Sequence, residues 1–326
     1  CAMFTAQCTS PDSPVFKNPD NRIETATGMA KNTHLTTNNL VGDIAGHPAF
    51  KGFGDLLLPL DNNTRYYNTP IRNIASLMPY HNAVNPDEDV AALNRLIDDV
   101  NDSKTIFYNF YSEVDKKKDP RKNNTGIFFY RGEPDAPFAI ICPGGGFSYV
   151  GSLHEGFPLA SEISTKKLNA FVIRYRIGSE QWATEDLANA IRFIFENANT
   201  LKVDTKNYSL WGGSAGARMV GNIAYYGVGA FGAGNYPKPV TAVIAYTGQS
   251  SYDKSFPATF ITVSADDWIA NVSTVERRVQ NLKNAGVTVS YQRYEQAGHG
   301  FGLATGTDAE GWLYKAIDFW KSQIKE

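Results

Sequence analysis

The stretch Tyr208-Ser209-Leu210-Trp211-Gly212-Gly213-Ser214-Ala215-Gly216-Ala217 decides how this chain is read. An apolar and aromatic run, 208–211, stops at two glycines. A helical pattern begins at 217 and continues to 225. Between them the chain must turn back sharply, so small residues are needed on both sides of Ser214, where strand and helix nearly touch. Such a turn lifts the serine hydroxyl to the carboxyl edge of a sheet and aims the next amide, that of Ala215, in the same direction. A glycine-rich turn without chemistry has the same residues, so the reading depends on what surrounds it.

Working outward, apolar, β-branched or aromatic runs recur at 105–111, 127–130, 138–142, 170–175, 208–211, 240–246, 259–263 and 287–294. Helical patterns at 158–167, 185–197, 217–225, 274–284 and 308–322 separate most of the later ones. The first two runs are joined by a short polar segment and predict an antiparallel hairpin. The alternation that follows predicts an α/β fold, a mostly parallel eight-stranded sheet with helices on both faces.

Three further elements follow strands in the same way. Pro143-Gly144-Gly145-Gly146-Phe147 comes directly after the run 138–142 and leaves backbone N–H groups open to a ligand. No Gly-Lys-Ser/Thr follows it, and Tyr149 stands where a dinucleotide fingerprint needs glycine, so neither a phosphate loop nor a nucleotide fold is predicted. An oxyanion-binding loop built from Gly145, Gly146 and the amide of Ala215 is the expectation. Of five histidines, only His299 lies after Ser214, in Ala297-Gly298-His299-Gly300-Phe301-Gly302, and imidazole there suits a general base. The run 259–263 leads into Asp266-Asp267, two candidate carboxylates to orient that ring. The order serine, acid, histidine completes a Ser-His-Asp arrangement.

With those elements in hand, residues from about 104 to 326 resemble the bacterial esterase/lipase branch of the α/β-hydrolases, some of whose members are feruloyl or acetyl-xylan esterases. The matching stretches are PGGGFSYVGSLHEGFP, FVIRYR, DLANAIRFIFENA, YSLWGGSAGARM and GHGFG. The resemblance selects Asp267, which precedes Trp268-Ile269, over Asp266. It implies a serine carboxylesterase acting through an acyl-enzyme on short acyl esters, including acetyl or feruloyl esters of plant carbohydrate. Pro143 departs from relatives of hormone-sensitive lipase, which carry histidine there. An amidase or small peptidase with the same residues, or a catalytically silent binding protein on this fold, are the alternatives. No metal and no organic cofactor is expected.

Other residues have plainer expectations. Phe147, Tyr149, His154, Trp268 and Phe301 are pocket candidates because each adjoins a predicted site element, with plain core packing the equal alternative for Tyr149, Trp268 and Phe301. His154 and Glu155 are also read as braces of their loop, and Arg174, Arg176 and Asp186 as structural ion pairs. The segment 247–258 is too short for a helical lid, which predicts an uncovered site. The basic stretch 116–122 reads as a solvated hairpin tip.

Residues 1–100 form a loop-rich N-terminal extension to a catalytic domain at 101–326. Its one clear helix starts at Asn85 as N-cap and Pro86, with Val90, Leu93, Ile97 and Val100 on one face. Too small to fold alone, the extension is expected to wrap the catalytic domain, either as a belt or, through part of 30–85, as a wall of the alcohol pocket. A formal net charge of -2 gives no reason to expect nucleic acid, and no apolar stretch reaches a membrane span. Of three cysteines, Cys142 reads as core, while Cys1 and Cys8 suit a small disulfide loop or Cys1 a lipid anchor. Export is the expectation and a cytoplasmic enzyme the alternative. The Asn-x-Ser/Thr tripeptides at Asn62, Asn123 and Asn271 are ones that so much asparagine produces by chance.

Overall fold

The computed structural model describes residues 28–61, 63–248 and 252–325. Eight strands, β1 (Phe107–Tyr108), β2 (Gly126–Tyr130), β3 (Pro137–Cys142), β4 (Asn169–Arg174), β5 (Asp204–Gly213), β6 (Thr241–Ala245), β7 (Ala258–Ser264) and β8 (Val289–Tyr294), form one sheet in the order β1-β2-β4-β3-β5-β6-β7-β8. Every pairing from β4 onward is parallel, and β2 is antiparallel to both of its neighbours. This is the topology of the α/β-hydrolase fold. The central strands read as unbroken apolar runs because both faces are covered: every residue of β6, and all but the first of β3 and β7, is buried.

Nine helices accompany the sheet among the described residues. α1 (Val41–Ala45) and α2 (Pro86–Asn101) precede it and α3 (Glu113–Lys118) lies between β1 and β2. α4 (Phe157–Thr165), α5 (Glu180–Glu196), α6 (Ala198–Leu201), α7 (Ala215–Tyr226), α8 (Val272–Asn284) and α9 (Trp312–Gln323) fill the later crossovers and the end of the chain. α5 starts a turn earlier than periodicity suggests, because Ser179 caps it by accepting the N–H of Trp182.

The stretch 116–122 is not a hairpin tip. Ser112 and Asp115 form a capping box that starts α3, and Asp119 caps a 3-10 turn, Pro120–Asn124. Lys116 is buried there with its ammonium on Asn109 and Glu113. β1 and β2 still pair antiparallel across this helical connection.

The described residues of 28–101 pack against the sheet and its helices and share their core. Asn85 caps α2 by accepting the N–H of Asp87, and Leu93, Leu96 and Ile97 are fully buried. α2 packs on α4, where Arg95 donates to the carbonyl of Ser161 at 2.8 Å and the Tyr130 hydroxyl donates to that of Ala92 at 2.9 Å. The remaining segment is a chain of 3-10 turns whose Leu57, Ile71, Ile74 and Met78 are buried in the same core. Arg174, fully buried at the end of β4, pairs with Asp61 of this segment and donates to the carbonyl of Leu58. Arg176 instead pairs with Asp186, which also accepts the Tyr111 hydroxyl at 2.6 Å. Cys142 is buried in the core, whereas Cys1, Cys8 and Asn62 lie outside the described residues. No helix among the described residues is long and apolar enough to cross a membrane.

Candidate active site

Ser214 sits between β5 and α7 with φ 51° and ψ -117°, a left-handed backbone that a side chain rarely adopts. The turn is forced by close approach: a Cβ on Gly216 would lie 1.8 Å from the carbonyl oxygen of Cys142. The amide of Ser214 donates to the carbonyl of Ala245 at 3.0 Å, which ties the elbow to β6.

His299 Nε2 lies 2.8 Å from Ser214 Oγ, and its Nδ1 lies 2.8 Å and 3.0 Å from the two carboxyl oxygens of Asp267. The side chains of His299 and Asp267 are 1% and 0% exposed, so this line of three is sheltered from water on the acid side. Asp267 Oδ1 also accepts the amides of Ile269 and Ala270 at 2.8 and 2.7 Å. Four contacts fix its position. Asp266 faces elsewhere: it accepts the Ser264 hydroxyl and the amide of Gly298 at 2.8 Å, bracing the loop that carries His299. The sequence left two candidate acids, and Asp267 is the one that reaches the ring.

Gly145, Gly146 and Phe147 turn the loop after β3 with φ of 139°, 62° and 56°. Among the described residues, the amides of Gly145, Gly146 and Ala215 donate to no other backbone group. Gly146, Phe147, Ser214 and Ala215 share a cleft of about 450 Å³ with Tyr246 and Ile269. Its lip is charged, with Arg218 held on Glu180 at 2.7 Å and Asn222 on the same carboxylate at 2.9 Å. Residues 246–248 and 252–257, between β6 and β7, form no helix over the cleft.

The pocket candidates divide. Phe147 lines the cleft, and Trp268, next in the chain to the cleft residue Ile269, is 62% exposed with its ring 6.5 Å from that of His299. Tyr149, His154 and Phe301 are buried and are not among the residues that line this cleft. His154 Nε2 lies 2.9 Å from the carbonyl oxygen of Gly300, and burial followed by the neighbouring His81 pushes its pKa down to about 4. Phe301 packs on Tyr246 and Trp312. Glu155 and His154 brace their loop, as their position after the glycines suggested.

Sequence reading missed Asn82 and Tyr246. Asn82 Oδ1 accepts the backbone N–H of His299 at 3.0 Å, and the backbone N–H of Asn82 donates to the His299 carbonyl at 2.9 Å. Tyr246 lies with its ring 5.0 Å from that of His299. Neither carried a signal in the sequence: one lies in an irregular segment, the other in a strand-like run. No group of three or more histidines, cysteines or acids among the described residues is placed to hold a metal ion.

The fold and topology are those of an α/β-hydrolase. Residues 130–233, which include the glycine loop and Ser214 but neither Asp267 nor His299, match the BD-FAE family model. The chain is 33% identical over 93 residues to an endo-1,4-beta-xylanase B of Butyrivibrio fibrisolvens, covering 27% of this chain and 14% of that protein. It is 21% identical over 230 residues to an acetylxylan esterase of Xylanibacter ruminicola, covering 61% of this chain and 48% of that one. The chain therefore spans half or less of the length of these curated relatives. Among solved structures, it resembles an acetyl ester-xyloside bifunctional hydrolase from Caldicellulosiruptor lactoaceticus (19% identity, 61% of this chain, 88% of that one, TM-score 0.54). It also resembles a carboxylesterase from Lactobacillus plantarum (20% identity, 61% and 92%, TM-score 0.53).

Proposed function

We propose that the chain is a serine carboxylesterase that hydrolyses short-chain acyl esters, with acetyl or feruloyl esters of plant carbohydrate as the substrate class. The observation that carries this reading is the line Ser214 Oγ, His299 Nε2, His299 Nδ1, Asp267, with contacts of 2.8 Å, opening on the cleft. In it, His299 removes the serine proton as Ser214 attacks the ester carbonyl. It returns that proton to the alcohol as the acyl-enzyme forms, and Asp267 holds the imidazole tautomer. Water activated by the same histidine then releases the acid. The amides of Gly145, Gly146 and Ala215 would receive the oxyanion, at about 3 kcal/mol per donor in comparable sites.

The open, charged-lipped cleft suits a water-soluble ester better than a lipid. The named acetylxylan esterase and acetyl ester-xyloside hydrolase relatives point to carbohydrate as the alcohol. A polymeric substrate would require an exported enzyme, and export is part of this reading. The test is hydrolysis of nitrophenyl acetate beside a nitroanilide of the same acyl group and acetylated and feruloylated xylan fragments. Ester turnover that vanishes in Ser214→Ala supports the reading. Faster anilide cleavage would make the chain an amidase, and no turnover of either would leave a binding protein.

A further inference from the structure

Beneath the site lies a buried polar cluster to which the reaction above assigns no step. His81 follows the 3-10 run Ile71–Leu77 in the N-terminal segment. Its Nε2 lies 3.2 Å from Glu155 Oε1 and its Nδ1 lies 2.7 Å from the Tyr149 hydroxyl oxygen. The His81 and Glu155 side chains are 1% and 2% exposed. Glu155 stands in a single π-helical turn, Ser152–Gly156, that leads into α4, and such turns gather at functional sites.

What Glu155 touches gives the cluster its meaning. One carboxyl oxygen accepts the amide of Gly144, the first glycine of the loop over the cleft. The other accepts the hydroxyl of Tyr246 at 2.7 Å. A Cβ on Gly213 would fall 2.8 Å from the same carboxylate, so the group is wedged beneath both the glycine loop and the serine turn. Burial alone would push the pKa of Glu155 up. The neighbouring His81 and the donors Gly144 and Tyr246 outweigh it and hold the carboxyl at about 2. A buried carboxylate so held is a fixed anchor, and removing its partner would leave an uncompensated charge.

We propose that Glu155 and His81 together form a positioning pair for the oxyanion-binding loop. Glu155 holds the loop through Gly144, and His81, delivered by the N-terminal segment, holds Glu155. The amides of Gly145 and Gly146 keep their aim only while His81 is docked. The extension thereby contributes to transition-state binding without touching substrate. This inference rests on the esterase reading.

The test uses the full chain and its variants His81→Leu, His81→Gln and Glu155→Gln, assayed on nitrophenyl acetate. A fluorophosphonate probe counts reactive Ser214 in each preparation. Per titrated serine, His81→Leu and Glu155→Gln are expected to lose on the order of 10–100-fold in kcat with KM within about 3-fold, since the interaction is made in the transition state. His81→Gln, whose amide can still donate to Glu155, recovers part of that loss. The rate advantage of an oxygen ester over its thionoester should also shrink in the slow variants, because sulfur accepts hydrogen bonds poorly. Unchanged kcat per titrated serine in both slow variants overturns the inference. So does a change in KM alone, or failure of both to give any titratable folded protein, which makes the pair purely structural. If the native chain shows no Ser214-dependent ester turnover, the esterase reading falls and takes this one with it.

Discussion

Asn82 Oδ1 accepts the amide of His299 at 3.0 Å from 217 positions away in the chain. The same side-chain oxygen is 3.4 Å from Trp268 Nε1, and the Asn82 amide returns a bond to the His299 carbonyl. The backbone of the proposed general base is thus clamped by the N-terminal segment. Asn82→Ala is expected to lower kcat on nitrophenyl acetate by about 10-fold, through misplacement of the imidazole. Steady-state kinetics with serine titration measures it, and native kcat in the variant would show the clamp to be dispensable.

The two adjacent acids should differ sharply. Asp267→Asn removes the acceptor that fixes the His299 tautomer and is expected to cost about 10⁴-fold in kcat. Asp266→Asn keeps one oxygen for the Gly298 amide and should stay within about 10-fold. Equal losses in the two variants would mean that Asp266 also orients the ring.

With no helix over the cleft among the described residues and an Arg218–Glu180 pair at its lip, long acyl chains gain little apolar contact. Nitrophenyl acetate should exceed the decanoate in kcat/KM by at least about 10-fold. No jump in rate should appear when a substrate passes its solubility limit. Faster hydrolysis of triolein emulsion than of a soluble acetate would reverse this.

Asp89 in α2 is 1% exposed, and neither carboxyl oxygen has a hydrogen-bond partner among the described residues. Burial, with the charge of Glu88 behind it, pushes its pKa well above the ordinary 3.8. Below about pH 4 both folded and unfolded chains hold the proton and no penalty exists. As pH rises towards the folded value, only the unfolded chain releases it, so the folded state loses relative stability. Asp89→Asn should therefore raise Tm by a few degrees at pH 8, about 1–3 kcal/mol, with the gain fading by pH 4. An equal gain at both pH values in calorimetry would remove the ionisation argument.

What the sequence disclosed and withheld follows from how far each contact reaches. The serine turn, the glycine loop and the His299 loop each need small residues locally, so each is written in a few consecutive letters. The sheet is legible for the same reason: strands buried on both faces are short apolar runs. The helix at 113–118 was hidden because its capping box, Ser112 and Asp115, sits among charges that resemble a loop. Tyr80, His81 and Asn82 carry no period, glycine signature or charge pattern. Their meaning lies in partners at Tyr149, Glu155 and His299, more than sixty positions away. Tyr149, His154 and Phe301 are buried outside the cleft lining, because adjacency in sequence does not say which way a side chain turns.

The clamp between Asn82 and His299 also has a consequence in time. A chain grows at about 5–20 residues per second, so roughly 10–40 s separate the synthesis of these two residues. Tyr149 and Glu155, the partners of Tyr80 and His81, are made early in that interval, but Asn82 has no His299 to hold until its end. The contact between Asn82 and His299 can form only once the later residue is made. The proposed triad is complete only after the last strand, Val289–Tyr294, has been made. A chain about two-thirds made would carry the turn of Ser214 but not yet His299, and would be inert.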